Sequence, residues 1–413
     1  MSTLKKFSIT GLWGTKDLAL TFNEDVNFLI GKNGSGKTTI INLIAAALSA
    51  DFQALDRVDF KKIEMHVSGL HNSVIEVLKK KTEKKSPFMG ITYRFKPKKD
   101  SDWREFSLDE IESQMLYRDY SRLGRHTRIP DPIEILGIEV DFTWLSIHRA
   151  GPSRPRDDRT IESSIDIKLD QLSNALTRLF SQFKSKNDEQ TARFQKSLFF
   201  ALLPPVDWRL ETSVKELDLE REQQALREIF ETFDVARDTY LTRVEEQFKR
   251  VKSAVERTSF THSDLTSLSA MWSIHSVVSE WGKLRAKQAE INKPRIDFLT
   301  VINEMLSRKT LFINESNELK AEMEGEKSLK LTELSSGEKQ LLIILGEALL
   351  QQKASWIYIA DEPELSLHVT WQEKLTTNLR HINPSAQIIF ATHSPDIVGK
   401  YESRVFDMEK LLR

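Results

Sequence analysis

The feature that most constrains this chain is a glycine-rich loop between a short apolar run and a helical pattern. Residues 26–30, VNFLI, predict a buried strand, and residues 38–50, TTIINLIAAALSA, have the broad apolar face of a helix. The loop GKNGSGKT at residues 31–38 fits the phosphate-binding pattern G-x4-G-K-[ST]. Its glycines let backbone N–H groups turn toward phosphates, and the helix start adds partial positive charge. A chance glycine-rich turn is the alternative.

Two side chains of this loop suggest different roles, one toward phosphate and one toward a metal ion. Lys37 can reach the β- and γ-phosphates of a nucleotide, and the Thr38 hydroxyl can ligate Mg²⁺. The residues predicted to bind the nucleotide are Gly31, Asn33, Gly34, Ser35, Gly36, Lys37, Thr38 and Thr39.

A second apolar run, WIYIA at residues 356–360, ends in the acids Asp361 and Glu362. An acid at the tip of a buried strand can hold the Mg²⁺ shell, and the next acid can polarise a water for in-line attack. We therefore assign Asp361 to the metal, together with Thr38, and Glu362 to the general base. A solvated acidic turn is the alternative.

A third candidate is LSSGEKQ at residues 334–340, directly before the apolar helix LLIILGEALL. A small side chain and exposed N–H groups at a helix start can bind an anion. An ordinary N-cap is the alternative. One triphosphate seldom needs two such helix starts from one chain, whereas two copies of the chain could supply them from opposite sides.

The middle of the chain differs from its ends. Residues 165–324 are rich in Glu, Lys, Arg, Gln and Leu, with apolar residues at helical spacing. Strands and helices alternate before and after it. We predict an α/β fold in which a mixed sheet flanked by helices is interrupted by a helical insertion. The predicted parts are an N-terminal lobe at 1–160, a helical insertion or short coiled coil at 161–325, and a C-terminal lobe at 326–413.

Composition excludes several classes of protein. Sixty Lys and Arg oppose 61 Asp and Glu, so the net charge of −1 creates no global attraction to nucleic acid or acidic membranes. The absence of cysteine excludes a disulfide framework, a thiolate zinc site and a cysteine nucleophile. No apolar run approaches the roughly 20 residues that span a bilayer. With no apolar signal segment at the start, we expect a cytoplasmic protein without membrane contact.

One local cluster is basic. Residues 79–99, bounded by Lys79 and Lys99, contain nine Lys and Arg and a single Glu. On one face they would form a groove for a nucleic-acid backbone, and a solvent-exposed hairpin is the alternative. Aromatic residues interleave with the cluster and could be core: Phe88, Tyr93 and Phe95. Arginines follow it at helical or near-helical spacing: Arg118, Arg122, Arg125 and Arg128.

In this order the motifs resemble the heads of ABC-type ATPases, with Walker A at residues 31–38, an LSGGQ-like signature at 334–340 and Walker B at 357–362. The resemblance implies ATP sandwiched between two heads of a homo-oligomer. Ser336 and Gly337 of one protomer would face the γ-phosphate held by Lys37 of the other, and His393 in FATHSPDIV would be the switch histidine that contacts this phosphate. The implied signature contacts are Ser335, Ser336, Gly337 and Glu338, and the implied catalytic residues are Lys37, Glu362 and His393.

The run DEPELSLH at residues 361–368 looks like the version found in OLD-, RecF- and SMC-related ATPases. Transport ATPases usually have Asp where His368 stands, which disfavours a transporter subunit. Val369 departs from the Pro of many relatives. No Q-loop glutamine stands out, and Arg149 or Arg154 could replace it. Trp13 is a candidate for adenine stacking, with ordinary packing as the alternative.

The chain also resembles the stand-alone ATPase subunits of bacterial anti-phage systems, such as AriA of PARIS and PtuA of Septu. OLD nucleases continue into a Toprim domain, whereas 20 residues follow His393 here, so we expect cleavage to be done by another chain. The expected function is that of an ATP-binding and ATP-hydrolysing sensor and scaffold that controls a separate nuclease effector. The alternative is a RecF- or SMC-like DNA repair ATPase that clamps DNA when it binds ATP.

Overall fold

The computed structural model describes residues 3–68, 73–80, 90–96, 102–107, 142–145, 164–201, 218–257, 261–323 and 328–412. The chain divides into two compact units. The first combines Met1–Arg178 with Arg295–Arg413, and the second is Leu179–Pro294. The second unit lies within the predicted insertion at 161–325, and one division point coincides with Pro294, a proline inside a long helix.

Within the described residues the strands are β1 Thr3–Leu12, β2 Lys16–Thr21, β3 Val26–Ile30, β4 Lys62–Ser68, β5 Ser73–Lys80, β6 Gly90–Lys96, β7 Arg104–Ser107, β8 Phe142–Leu145, β9 Lys309–Ile313, β10 Leu319–Met323, β11 Ile357–Asp361, β12 Gln387–Ala391 and β13 Val405–Asp407. The helices are α1 Lys37–Ser49, α2 Phe52–Asp56, α3 Ser164–Ala201, α4 Leu219–Thr232, α5 Arg237–Val255, α6 His262–Met305, α7 Ser336–Leu350, α8 Val369–Ile382, α9 Pro395–Val398 and α10 Met408–Leu411.

The first unit contains a parallel sheet in the order β13-β3-β12-β11-β8. Its central strands are almost wholly apolar and buried, as expected for a parallel sheet covered on both faces. Because the strands are parallel, the residues that follow β3, β11 and β12 emerge at one edge of the sheet. This topology brings together the glycine-rich loop, the two acids and His393. Open α/β sheets bind ligands at this edge, the carboxyl ends of their strands.

An antiparallel sheet in the order β2-β1-β4-β5-β6-β7 forms the second layer of this unit. Alternation along β4 buries Ile63, Met65 and Val67 on one face. That face shares one apolar core with α1 and with the parallel sheet, including Ile359 and Ile389. The mixed α/β architecture predicted from the sequence is therefore confirmed.

A β-hairpin formed by β9 and β10 was not anticipated from the helical pattern of residues 161–325. Its strands are five residues each, too short to show a clear alternation, and β9 buries Leu311 while its neighbours stay partly exposed. Asn303 holds the hairpin to the end of α6, because its side chain bonds both the N–H and the carbonyl of Leu311 at 2.7 and 2.9 Å.

The second unit is helical over its described residues. Amphipathic α4 and α5 bury Leu226, Ile229, Tyr240 and Val244 among one apolar cluster, which also includes Trp281 of α6. Stacked aromatic rings contribute to this cluster, with Phe230 and Tyr240 centred 4.6 Å apart.

Among the described residues, no helix combines the length and apolar character needed to cross a bilayer.

Candidate nucleotide site

The glycine-rich loop follows β3 and leads directly into α1. Gly36 is the N-cap of α1, with φ 89° and ψ 3°. This left-handed conformation suits glycine, and a Cβ at Gly36 would lie 2.9 Å from atoms of both Trp13 and Leu412. A glycine N-cap offers no side chain to the first amides of α1, so these N–H groups point out of the helix start and can donate hydrogen bonds to an anion.

Lys37 lies inside the loop rather than on its surface. Lys37 is buried, with only 4% of the residue exposed. The ammonium donates to the carbonyl oxygens of Gly31 at 2.8 Å and Lys32 at 3.1 Å. Burial lowers the pKa of Lys37, although the carboxylates of Glu362 and Asp361 oppose that shift. The cation is therefore held at the centre of the loop, where β- and γ-phosphates would replace the carbonyl oxygens.

The predicted metal ligands meet in the structure. Thr38 Oγ1 donates to Asp361 Oδ1 at 3.1 Å, across 323 residues of sequence. A hydroxyl and a carboxylate are hard oxygen ligands of the kind Mg²⁺ takes alongside nucleotide phosphates. Among the described residues, no cluster of three or more His, Asp or Glu could hold a metal by protein ligands alone. The Thr38 hydroxyl and the Asp361 carboxylate fit a magnesium ion that takes its remaining ligands from phosphate and water oxygens.

Glu362 follows Asp361 in a left-handed conformation, with φ 49°. Such a conformation in a residue with a side chain costs about 1 kcal/mol or more and is typical of functional sites. The N–H of Glu362 donates to the carbonyl of Ala391 at 2.8 Å, which ties this turn to the end of β12. Its Oε1 lies 3.7 Å from His393 Nε2, so the predicted base and switch histidine are neighbours.

The signature residues begin α7. The Ser335 hydroxyl accepts from Glu338 N at 3.4 Å, and a Glu338 oxygen accepts from Ser335 N at 2.7 Å, forming a capping box. Lys309 donates to the same Glu338 oxygen at 2.7 Å. Burial raises the pKa of Glu338, but the hydrogen bonds from Lys309 and Ser335 outweigh it and leave the pKa below its usual value. Glu338 thus holds the helix start, while Ser335 and Ser336 are exposed.

Gly337 of the signature leaves no room for a side chain. A Cβ there would overlap the backbone carbonyl oxygen of Ser366, a residue in the segment between β11 and α8. Ser366 is itself left-handed, with φ 68°, a conformation that persists in a residue with a side chain only where the surrounding structure holds it. Gly337 therefore joins the signature helix closely to the residues that follow Walker B.

We expect Gly337→Ala to lower the free energy of unfolding by about 1–3 kcal/mol, because overpacking against backbone forces a rearrangement. The matched control is Gly282→Ala in α6, where a Cβ meets nothing within 4 Å. That change should raise helix stability by up to about 1 kcal/mol. Urea unfolding of both variants measures the difference, and equal stabilities would show that the contact with Ser366 is easily relieved.

Several residues at this site were not anticipated from sequence. Glu409 Oε1 of α10 accepts from Lys32 N at 2.7 Å, and Leu412 is buried against Gly36. Glu364 is buried beside Thr392 and His393. The repeated acid in DEPE was the available signal for Glu364, whereas nothing local marks Glu409, whose partner lies 377 residues away.

Trp13 stands next to the phosphate loop. It has a left-handed backbone, with φ 50°, and remains 45% exposed while its ring faces Gly36. An exposed aromatic ring at the edge of the loop is the geometry that base stacking needs. Arg149 and Arg154, the candidates for the Q-loop contact, lie outside the described residues, and β8 precedes them in the chain.

The basic cluster contributes less to the surface than its composition suggests. Lys79 is 6% exposed, and its ammonium lies among backbone carbonyl oxygens. These oxygens belong to Leu55, Asp56 and Val58. Tyr93 and Phe95 are core residues, and Arg94 pairs with Glu76 at 3.3 Å. Lys79 is therefore structural, which corrects its assignment to a nucleic-acid surface.

Other parts of that prediction fall outside the described residues. They are residues 81–89 with Phe88, residues 97–99, and Arg118, Arg122, Arg125 and Arg128.

Comparison with solved structures finds Smc head domains at low identity. One, from Pyrococcus furiosus, carries an extended coiled coil and is bound to the C-terminal domain of ScpA. It is 13% identical, the alignment covers 96% of this chain and 91% of that Smc head chain, and the TM-score is 0.40. Another, from Pyrococcus yayanosii, includes a coiled coil and joint, with 14% identity, coverage of 96% and 93%, and a TM-score of 0.37. An SmcHead bound to the C-winged helix domain of ScpA is 12% identical, with coverage of 95% and 91% and a TM-score of 0.39.

Comparison with protein families is more decisive. The model described as "AAA domain, putative AbiEii toxin, Type IV TA system" matches residues 26–399. This span contains the glycine-rich loop, the signature, Asp361 and Glu362 at the end of β11, and His393. Since the match covers most of the chain, the protein belongs to this AAA_21 family and has the α/β fold of a P-loop ATPase.

Proposed function

We propose that the protein is an ATP-hydrolysing ABC-type ATPase that acts as an oligomeric sensor and scaffold subunit of a bacterial anti-phage defence system and controls a separate nuclease effector. The observation that carries the ATPase part is the contact between Thr38 and Asp361 at 3.1 Å. It joins Walker A to Walker B at the same edge of the sheet as Glu362 and His393. In this proposal the protein acts in the cytoplasm.

In the proposed reaction, Lys37 and the amides at the start of α1 orient the triphosphate. Thr38 and Asp361 would hold Mg²⁺, which when bound neutralises charge on the β- and γ-phosphates. Glu362 accepts the proton of the attacking water. The water oxygen bonds to the γ-phosphorus as the bond to the β-phosphate oxygen breaks, and ADP leaves. His393 hydrogen-bonds the γ-phosphate. Its Nε2 lies 3.7 Å from Glu362 Oε1, so both side chains can reach the same phosphate and its attacking water.

The exposed start of α7 supports a head-to-head ATP sandwich. Ser335 and Ser336 are exposed, so the signature helix start is open to a phosphate bound by another protomer. In this arrangement ATP binding closes two heads, and hydrolysis opens them. The closed homo-oligomer is the state that would hold the effector.

Two observations favour the defence role over a DNA-clamping repair factor. The description of the family refers to a putative AbiEii toxin and a Type IV TA system, and names no repair factor. In addition, Lys79 and Arg94 of the basic cluster are engaged by backbone carbonyls and by Glu76, so fewer cations are free for a phosphate backbone. Contact between the rest of residues 79–99 and a nucleic-acid backbone stays a proposal.

The test is an affinity purification of Glu362→Gln from its native host with ATP and Mg²⁺, followed by mass spectrometry. We expect a nuclease to co-purify and the purified complex to cleave DNA or RNA. The matched control is the double variant with Lys37→Ala, which should lose the partner because it cannot close around ATP. Recovery of DNA with repair proteins and no nuclease would instead support the RecF- or SMC-like alternative.

A further inference from the structure

We infer that Glu364, the second acid of DEPE, is a positioning residue for the proposed hydrolysis: it holds the loop that carries His393 and connects that loop to the signature helix. This inference rests on the proposed function. The role inferred for Glu364 is exerted through the backbone of His393, whose N–H donates to the Glu364 carboxylate.

The first step is the contact between Glu364 and the switch loop. Glu364 is 8% exposed, and its Oε1 accepts from Thr392 Oγ1 at 2.6 Å and from His393 N at 2.8 Å. Both bonds are of the short, charge-assisted type that a carboxylate makes. The backbone amide of His393 is thereby fixed to the segment that follows Walker B, and with it the origin of the imidazole side chain.

The second step is the network behind this contact. Thr392 is fully buried, and its hydroxyl accepts from Ser394 N at 3.0 Å while it donates to Glu364. Ser394 Oγ donates to Gln372 Oε1 at 2.7 Å. Gln372 Nε2 in turn donates to the carbonyl of Leu367 at 2.9 Å. The loop on both sides of His393 is therefore anchored to the residues that follow β11 and to α8.

The third step is the connection to the signature. Gln340 of α7 is wholly buried, and its Nε2 donates to the carbonyl of Pro363 at 3.0 Å. Gly337, one turn earlier, packs against the Ser366 carbonyl. Glu364 lies between these two contacts in the chain. A displacement of α7 when a second protomer engages the signature would therefore move Pro363 and Glu364, and with them the backbone of His393.

The fourth step is the choice of residue. Glu364 Oε2 is buried without a hydrogen-bond partner among the described residues. Leaving a buried carboxylate oxygen unpaired destabilises the fold, so a role in packing alone would be served better by a smaller or apolar side chain. The acceptor at Oε1 is what the switch loop requires, since it receives both the Thr392 hydroxyl and the His393 amide.

The test compares three substitutions by steady-state ATPase kinetics. Glu364→Ala should lower kcat by about 100-fold, the effect expected when a catalytic group is misplaced by about 1 Å, with KM nearly unchanged. Glu364→Gln keeps an acceptor oxygen and should restore most of the turnover. Thr392→Val removes one of the two bonds and should fall between them. The matched control is Glu373→Gln, an exposed acid in α8, which should behave as wild type.

A second measurement does not depend on hydrolysis. Hydrogen exchange of a peptide covering residues 387–398 should be faster in Glu364→Ala than in the wild type, and unchanged in Glu364→Gln, because the His393 amide donates to Glu364. Unaltered exchange in Glu364→Ala, or equal losses of kcat in Glu364→Ala and Glu364→Gln, would overturn the inference. A wild-type protein without ATPase activity would instead reject the proposed function, and the exchange result would still show whether Glu364 positions the loop.

Discussion

Lys37→Ala is expected to abolish detectable nucleotide binding. The ammonium is buried at the centre of the loop, 2.8 and 3.1 Å from two carbonyl oxygens that phosphates would replace. Losing two charge-assisted bonds to the β- and γ-phosphates costs roughly 3–6 kcal/mol, which weakens binding by at least about 100-fold. Titration calorimetry with ATP and Mg²⁺ measures the change.

The matched control for this prediction is Lys32→Ala. Lys32 belongs to the same loop and carries the same charge, but its side chain is 88% exposed and pairs with Glu409 at 3.8 Å. Its loss should change ATP affinity only slightly, since exposed ion pairs contribute about 1 kcal/mol or less. Equal losses of affinity in both variants would mean that general electrostatics, rather than the position of Lys37, governs binding.

The second large effect is expected from Glu362→Gln. This variant should bind ATP normally and hydrolyse it about 10²–10⁴-fold more slowly, because an amide cannot accept the proton of the attacking water. The ATP-bound, closed form should then accumulate. Phosphate release measures turnover, and light scattering after size-exclusion chromatography with ATP and Mg²⁺ measures assembly.

Two controls accompany this experiment. Glu373→Gln makes the same chemical change at an exposed position of α8 and should leave turnover unchanged. Glu362→Gln combined with Lys37→Ala should fail to assemble with ATP. Normal hydrolysis by Glu362→Gln would reject Glu362 as the general base, and full activity in a monomer would reject the two-headed ATP sandwich.

Much of the candidate site was predictable because its signals are local. The sequence GKNGSGKT predicts a phosphate loop from a strand, three glycines and a helix start that lie within about 20 residues. The acids at the end of β11 were predictable in the same way, since a short apolar run ending in Asp361 and Glu362 indicates a buried strand and its carboxyl end. The helical composition of the middle of the chain also indicated an α/β fold with an inserted helical part.

Other roles could not be deduced because they depend on distant partners. Lys79 belongs to a run of positive charge, yet burial against carbonyl oxygens 21 to 24 residues away makes it structural. Glu338 was predicted to contact the nucleotide, whereas in the structure its carboxylate accepts hydrogen bonds from Ser335 and Lys309. The side chain of a charged residue is directed by whichever partner the fold brings near, and composition does not record that partner.

The glycine-rich loop between a strand and a helix, the alternation of strands and helices, and the acids at a strand end were all predicted from the sequence alone. Each depends on backbone conformation and apolar periodicity over a few neighbouring residues. Tertiary structure alone decided that Glu364 holds a loop 28 residues further along and that Glu409 supports a loop 377 residues earlier. These contacts arise because parallel strands distant in the chain end at one edge of a sheet, and hydrogen bonds form where the packed core places donor and acceptor.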